Sequence, residues 1–206
     1  MFTIRTLLEG KWPILILGGL TAAIVIWCPA RWAWMVPAVL LAFTISFFRD
    51  PSVKIPADEK LIVAPATGKI VEIVPVGDTT RVAIFLSIFD VHVQRAPMAG
   101  TIQRVTYQAG KFLDVRDANA SAQNEYRLLE IETADGFRVT VRQIAGLIAR
   151  RIVGWAGEGA TLAKGERLGM IRFGSRVELS VPAGVEIVAK VGEHAKGGET
   201  IVARRK

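Results

Sequence analysis

Two strings in this chain carry side chains whose types and spacing could do chemistry. The first is FDVHVQRAP, residues 89 to 97, which places Asp90, His92 and Arg95 within six residues; His92 is one of only two histidines in the chain. Imidazole titrates near neutrality, so a histidine close to a carboxylate can move protons at working pH. Strand alternation would set Asp90, His92 and Gln94 on one face and Val91, Val93 and Arg95 on the other until Pro97 ends the run. Taken alone, His92 reads more plainly as a half-exposed histidine satisfied by a neighbour. The second string is MIRFGSRVELSVPAG, residues 170 to 184. From Ser175 onward it alternates, with Val177, Leu179 and Val181 on one side and Arg176, Glu178 and Ser180 on the other. Ser175 falls on the apolar side, directly after Gly174. No Gly-x-Ser-x-Gly elbow surrounds it, so a serine-hydrolase reading lacks its main support.

Weaker candidates flank these. Arg150 and Arg151 in LIARRIVG could face phosphate, because guanidinium groups match phosphate oxygens in bidentate geometry. On a helix, neighbours diverge by about 100°, so only one would enter a given site, and a solvated basic face accounts for the pair equally well. APATGKI, Ala64 to Ile70, is a proline and glycine turn that carries Thr67. His194, in VGEHAKGG, has a turn context and reads as a surface residue.

The elements that must position these residues are mostly strands. From Ala57 onward the chain breaks into short apolar runs at turn-punctuated spacing, with ADG at Ala134 to Gly136 as the clearest hairpin turn. The fold class expected is mainly β: a compact β-sandwich or barrel-like domain with few helices, over residues 57 to 206. One helix is expected in QIAGLIARRIVGWA, where Ile144, Leu147, Ile148, Ile152 and Trp155 recur at near-helical spacing. DVRDANASAQNEY, Asp114 to Tyr126, reads as a mobile loop beside a site.

Residues 1 to 56 are different in kind. Between Trp12 and Phe48 the only charged residue is Arg31. Two apolar segments, Trp12 to Cys28 and Trp32 to Phe48, would each give roughly 25 Å of helix, near the lower limit for a hydrocarbon core of about 30 Å. Tryptophans at the segment ends suit the headgroup level. The reading is an N-terminal hydrophobic helical hairpin that anchors the chain to a membrane, followed by a proline-containing linker. A cleaved signal peptide fits less well, since a second apolar segment follows at once without a small-residue cleavage site. A buried hairpin of a soluble core would show a polar stripe, and neither segment does. Arg5, Lys11, Arg49 and Lys54 flank the hairpin against Arg31 in its turn, which favours both termini in the cytoplasm. The net charge of +7 suits a domain held at anionic lipid. No dense basic run with interleaved aromatics points to nucleic acid. One cysteine and two histidines make a zinc site improbable and exclude an intrachain disulfide framework.

Taken in order, FFRDP, PATGKI, FDVHVQRAPMAG, NEYRLLEIET, QIAGLIARRIVGWA, KGERLGMIRFGSRVELSVPAG and GETIVA have the sequence and spacing of one family. Over nearly its whole length the chain resembles the short form of the phosphatidylserine decarboxylase proenzyme family, a group that includes archaetidylserine decarboxylase-like members. The resemblance implies self-cleavage at the Gly174–Ser175 bond, giving a β chain of residues 1 to 174 and an α chain of residues 175 to 206 that stay together, in a homo-oligomer. It implies a covalent pyruvoyl group derived from Ser175, no metal, and Schiff-base chemistry with the serine headgroup of a phospholipid, releasing CO2 and phosphatidylethanolamine. His92 matches the family's motif histidine, for proton transfer or orientation, with Asp90 as possible assistance. Arg95, Arg150 and Arg151 would meet substrate. The location implied is the inner membrane, with the catalytic domain facing the cytoplasm. One departure stands out: many members carry aspartate, part of a self-cleavage triad, where this chain has Thr67, and threonine cannot act as a carboxylate. That departure supports a rival, an unprocessed membrane-anchored relative that binds headgroups without turnover. A lipoyl-like carrier barrel, suggested by the glycine-punctuated strands of residues 181 to 203, lacks the modifiable lysine at a hairpin tip.

Overall fold

The computed structural model describes residues 3–28, 30, 32–115, 117, 120–147, 151–172 and 175–205. By contacts the chain divides into two compact units, Met1–Ser52 and Val53–Lys206.

The first unit is a helical hairpin. Helix α1, Ile4–Trp27, begins at Thr3, whose hydroxyl accepts from the Thr6 N–H while the Thr6 hydroxyl accepts from the Thr3 N–H. This reciprocal cap satisfies two donors that a helix start leaves free. Helix α2, Met35–Phe47, is shorter because Trp32 to Trp34 form a turn. The two nearly equal segments expected from the apolar runs thus become helices of 24 and 13 residues, or about 36 Å and 20 Å. Among the described residues only α1 has both the length and the composition to cross a membrane. The helices meet where Gly10 leaves room for Phe48; a Cβ there would lie 2.5 Å from that ring. Gly10 is near the start of α1 and Phe48 caps α2, so the hairpin is antiparallel. Trp12, Leu15, Ile16, Val25 and Val39 point outward and exposed.

The second unit is mainly β. Its strands are β1 Leu61–Val63, β2 Gly68–Val76, β3 Thr79–Leu86, β4 Val93–Arg95, β5 Gly100–Gln108, β6 Tyr126–Glu132 and β7 Arg138–Ala145. They continue with β8 Ile152–Gly154, β9 Thr161–Leu162, β10 Arg167–Ile171, β11 Ser175–Pro182, β12 Glu186–Ile187, β13 His194–Ala195 and β14 Ile201–Arg204. Eight of them form one antiparallel sheet in the order β13-β2-β3-β11-β7-β6-β5-β9, and two three-stranded sheets, β1-β14-β12 and β4-β10-β8, accompany it. Period-two alternation lines up the core face in rows. Val82, Leu179, Val141 and Leu129 form one row, and Ile84, Val177, Gln143 and Arg127 the next. The apolar members of these rows are fully buried.

The hairpin turn at Ala134 to Gly136 joins β6 to β7, with Gly136 at a φ of 81° that favours glycine. The helix expected over Gln143 to Ala156 is absent as such: Gln143 to Ala145 end β7 and Ile152 to Gly154 form β8, while Ile148 to Arg150 lie outside the described residues. Among the described residues, the apolar spacing that imitates a helix comes from the end of one strand and from a second strand, and Leu147 is exposed, not packed. The segment read as a mobile loop also differs. It contains a short helix, α3, Ala120–Gln123, followed by a buried Asn124. The Asn124 amide donates to the carbonyls of Leu113 and Ala145 and accepts from the Leu113 N–H, each at 2.8 Å. These bonds pin that segment to the end of β7.

Candidate active site at the start of the central strand

Ser175 opens β11, the strand with β3 on one side and β7 on the other. It lies opposite Leu86 and opposite Ala145, the last residues of those two strands. As its alternation requires, it faces the core and is fully buried, and its Oγ has no hydrogen-bond partner among the described residues. A buried hydroxyl without a partner is costly enough that folds rarely keep one for packing alone. Gly174 and Phe173 lie outside the described residues. On the upstream side, the Ile171 N–H donates to the His92 carbonyl at 3.3 Å, and the Arg172 N–H donates to the Arg151 carbonyl at 3.2 Å. Residues on both sides of the Gly174–Ser175 bond are therefore held by the two ends of one stretch, Leu86 to His92.

That stretch is a turn, not the strand expected for Asp90 and His92; regular pairing begins only at Val93. The Asp90 carboxylate builds the turn, with Oδ2 accepting from the N–H and hydroxyl of Ser87 at 2.8 and 2.7 Å. Its Oδ1 lies 2.9 Å from Nε2 of His194. His92 is fully buried, in contrast to the half-exposed residue anticipated. Its Nδ1 lies 3.0 Å from the Asp90 carbonyl. A carbonyl oxygen can only accept, so Nδ1 carries the hydrogen and the basic nitrogen of the neutral ring is Nε2. Asp90 thus holds His92 through its peptide oxygen and not its carboxylate.

The remaining candidates are placed as follows. The Thr67 hydroxyl accepts from the Gly197 N–H at 3.0 Å, tying the start of β2 to the segment after β13. Arg95 is buried in β4 and donates to the Gly165 carbonyl at 3.0 Å. Arg151 is exposed and, through the bond from Arg172, stands beside the upstream arm of the junction. Arg150 lies outside the described residues. His194 is exposed, as the reading of a surface residue had it, and its ring is also paired with Asp90, with β13 lying next to β2.

Two buried polar residues, Gln143 and Arg127, went unremarked in the sequence, and they join Gln94, which the strand pattern had only placed on a face with His92. Gln94 Nε2 donates to the His92 carbonyl at 2.7 Å, Gln143 Nε2 donates to Gln94 Oε1 at 2.8 Å, and Arg127 Nη1 donates to Gln143 Oε1 at 3.1 Å. Arg127 also donates to the Ala156 carbonyl. Burial pulls the pKa of its guanidinium below the usual arginine value. The alternation of YRLLEIE puts Arg127 in phase with Leu129 and Ile131, a signal that was available. On the opposite face of β11, Glu178 is buried and accepts from Arg176 Nε at 2.8 Å and from the Ser121 hydroxyl at 2.7 Å. Arg176 also reaches Glu72 at 3.0 Å, which Arg81 shares at 2.6 Å. Burial raises the Glu72 carboxyl, and the bonds from Arg81 and Arg176 outweigh it, leaving the group below its ordinary value. Among the described residues no cluster of histidine, cysteine, aspartate and glutamate could hold a metal ion. An open groove of about 1020 Å³ lies at the end of β6 and the turn that follows it, lined by Glu132, Asp135 and Lys164 among others and by no residue of β3, β7 or β11. Size alone therefore does not locate the chemistry.

The chain matches the family model for phosphatidylserine decarboxylase over residues 40–203. It is 47% identical to the phosphatidylserine decarboxylase proenzyme of Gluconacetobacter diazotrophicus, over 86% of this chain and 84% of that protein. It is 44% identical to the proenzyme of Geobacter sulfurreducens over 94% of both, and 43% identical to that of Cereibacter sphaeroides over 95% of this chain and 88% of the other. The matched span takes in the Leu86–His92 turn, the buried Ser175 and the whole eight-stranded sheet, so with a match of this extent the chain belongs to the phosphatidylserine decarboxylase family.

Proposed function

We propose that this chain is a pyruvoyl-dependent phosphatidylserine decarboxylase that makes its own prosthetic group by cutting itself between Gly174 and Ser175. The observation that carries the reading is the buried Ser175 hydroxyl, without a partner among the described residues, at a junction whose two arms are held by the Leu86–His92 turn. In the cut, Oγ adds to the Gly174 carbonyl carbon and the C–N bond breaks, freeing the Ser175 amine and leaving an ester. Removal of the Ser175 α-proton then breaks the Cβ–O bond, and Gly174 departs as a carboxylate. Water converts the remaining dehydroalanine to the pyruvoyl end, with loss of ammonia. His92 is the group assigned to these proton transfers, through the buried Nε2 that its bond to Asp90 leaves basic. Asp90 contributes by shaping the turn. Thr67, bonded to Gly197, takes a structural part.

The pyruvoyl carbonyl would supply the electron sink for loss of CO2 from the substrate's serine headgroup. The protein's own part is to hold the new end at the start of a strand buried between β3 and β7. Arg151, exposed beside the upstream arm, is assigned to the anionic headgroup, with Arg150 as its neighbour in sequence. The outward apolar side chains of α1 and α2 fit insertion into a bilayer, where a diacyl substrate lies, and the basic flanks favour a cytoplasmic catalytic unit. Intact mass and a denaturing gel of the purified protein, with CO2 release from phosphatidylserine vesicles, test this. Two chains meeting at 174/175 and CO2 release are expected. One undivided chain near 22.4 kDa, stable over days and without turnover, would defeat it in favour of a headgroup-binding relative.

A further inference from the structure

Arg127 is only 8% exposed, yet its bonds run to two neutral oxygens, those of Gln143 and Ala156. No carboxylate pairs with it among the described residues, and burial is the sole cause of its lowered pKa. A guanidinium does not give up its proton inside a protein, so this is a buried charge without a counter-charge, an arrangement that packing alone disfavours. The fold nevertheless makes room for it. A Cβ on Gly154 would fall 2.6 Å from Arg127 Cζ, so any side chain at that position would occupy the guanidinium's slot.

Arginine can only donate, and this gives the bonds that follow a single direction. Gln143 must turn its oxygen toward Arg127, which leaves its NH₂ for Gln94. Gln94 must then accept on its oxygen, which leaves its NH₂ for the His92 carbonyl. That carbonyl also accepts from Ile171, three residues before Gly174. His92 is thereby held at two points, its peptide oxygen by Gln94 and Ile171 and its ring at Nδ1 by Asp90. Gln143 stands in the row next to Ser175 on the same face of the sheet.

We propose that Arg127, Gln143 and Gln94 form a one-way hydrogen-bond relay that positions His92 for proton transfer at Ser175. The proposal rests on the reading of Ser175 as the site of the cut. All three are positioning residues; none is assigned contact with the reacting atoms.

Gln143→Glu separates positioning from folding. The carboxylate keeps the bond to Arg127 and supplies the missing counter-charge, so the thermal midpoint of the full chain should not fall. It cannot donate to Gln94, whose amide must rotate and present its oxygen to the His92 carbonyl. Chain division should slow about tenfold or more, as small misplacements of a reacting group do. In ¹⁵N spectra the His92 ring should lose its Nδ1–H signature while His194 is unchanged; with two histidines in the chain, His194→Gln assigns both. Should Gln143→Glu fail to fold, Gln94→Glu gives the same readouts, because its carboxylate still accepts from Gln143 but cannot donate to His92. Arg127→Lys, which still donates, should retain more activity than Arg127→Met. A folded Gln143→Glu chain that divides at the wild-type rate with unaltered His92 signals overturns the relay. If the wild-type chain itself never divides, the reading of Ser175 fails, and the relay is judged on the His92 signals alone, a shift supporting it and no shift overturning it.

Discussion

Replacing Ser175 with alanine should stabilise the undivided chain while abolishing its division. In the intact fold the Ser175 Oγ is fully buried and has no partner among the described residues. Burying a hydroxyl without a compensating bond costs about 1–3 kcal/mol on mutational scales. Alanine removes that cost and forfeits only the dispersion contacts of one oxygen, each about 0.1–0.2 kcal/mol. The net gain expected is about 1–2 kcal/mol. For a unit the size of residues 53 to 206, each kcal/mol moves the midpoint by about 2–4 °C. The comparison needs a serine-bearing reference that does not divide, so the pair to measure is His92→Asn with and without Ser175→Ala, both in detergent. Ser175→Ala in the wild-type background should run as one chain of 22.4 kDa. A loss of more than about 1 kcal/mol in the paired comparison would mean that the hydroxyl has a bonding partner in the fold, and the argument from an unpartnered hydroxyl would fall. Division of the alanine chain would remove Ser175 as the nucleophile.

Two further outcomes concern the charged face of the sheet. Glu178→Ala should destabilise by about 1.5–3 kcal/mol in urea unfolding, because it takes one of the two carboxylates from the buried Arg176, leaving only Glu72, and removes the carboxylate 3.7 Å from Arg142; a loss below about 1 kcal/mol would show that solvent already screens the cluster. Because the folded-state pKa of Glu72 is depressed below 4.5, its contribution is present above that pH and is lost as the pH falls through 4.5 and lower. Urea midpoints from pH 6 to pH 3 should therefore fall less steeply for Glu72→Gln than for wild type, and equal slopes would count against the assignment.

Ser175's inward orientation was legible because a period of two is a local signal: Val177, Leu179 and Val181 determine it within seven residues. Arg127 was legible for the same reason, in phase with Leu129 and Ile131, but a charged residue is conventionally assigned to solvent and only the slot at Gly154 shows otherwise. Arg176 and Glu178 were expected on a polar outer face. They are buried because Ser121 and Glu72 approach from segments 57 and 104 residues away, which no local pattern encodes. The Asp90–His194 contact depends on β13 pairing with β2, equally non-local. The misread helix has a different cause. Ile144, Leu147 and Ile152 imitate a helical stripe only when the strand end at Ala145 and the glycines at 146 and 154 are given too little weight.

The position of the proposed cut follows from the topology as much as from the chemistry. Residues 175 to 206 are not a tail. They supply β11, paired with β3 over eight positions and with β7 over six. They also supply β13 on the edge of the same sheet, and β12 and β14 of a second sheet, in which β14 pairs with β1. Val177, Leu179, Val181, Ala195 and Val202 from this segment lie within the shared core. A break at 174 therefore severs one covalent bond where a strand begins and leaves every strand pairing made by that segment in place, so the two pieces should part only when the core unfolds. Had the serine stood within β11, division would have cost ladder bonds on both sides. Placed first in the strand, it can change from a serine to a chain terminus while the register that holds it, Leu86 on one side and Ala145 on the other, is unchanged.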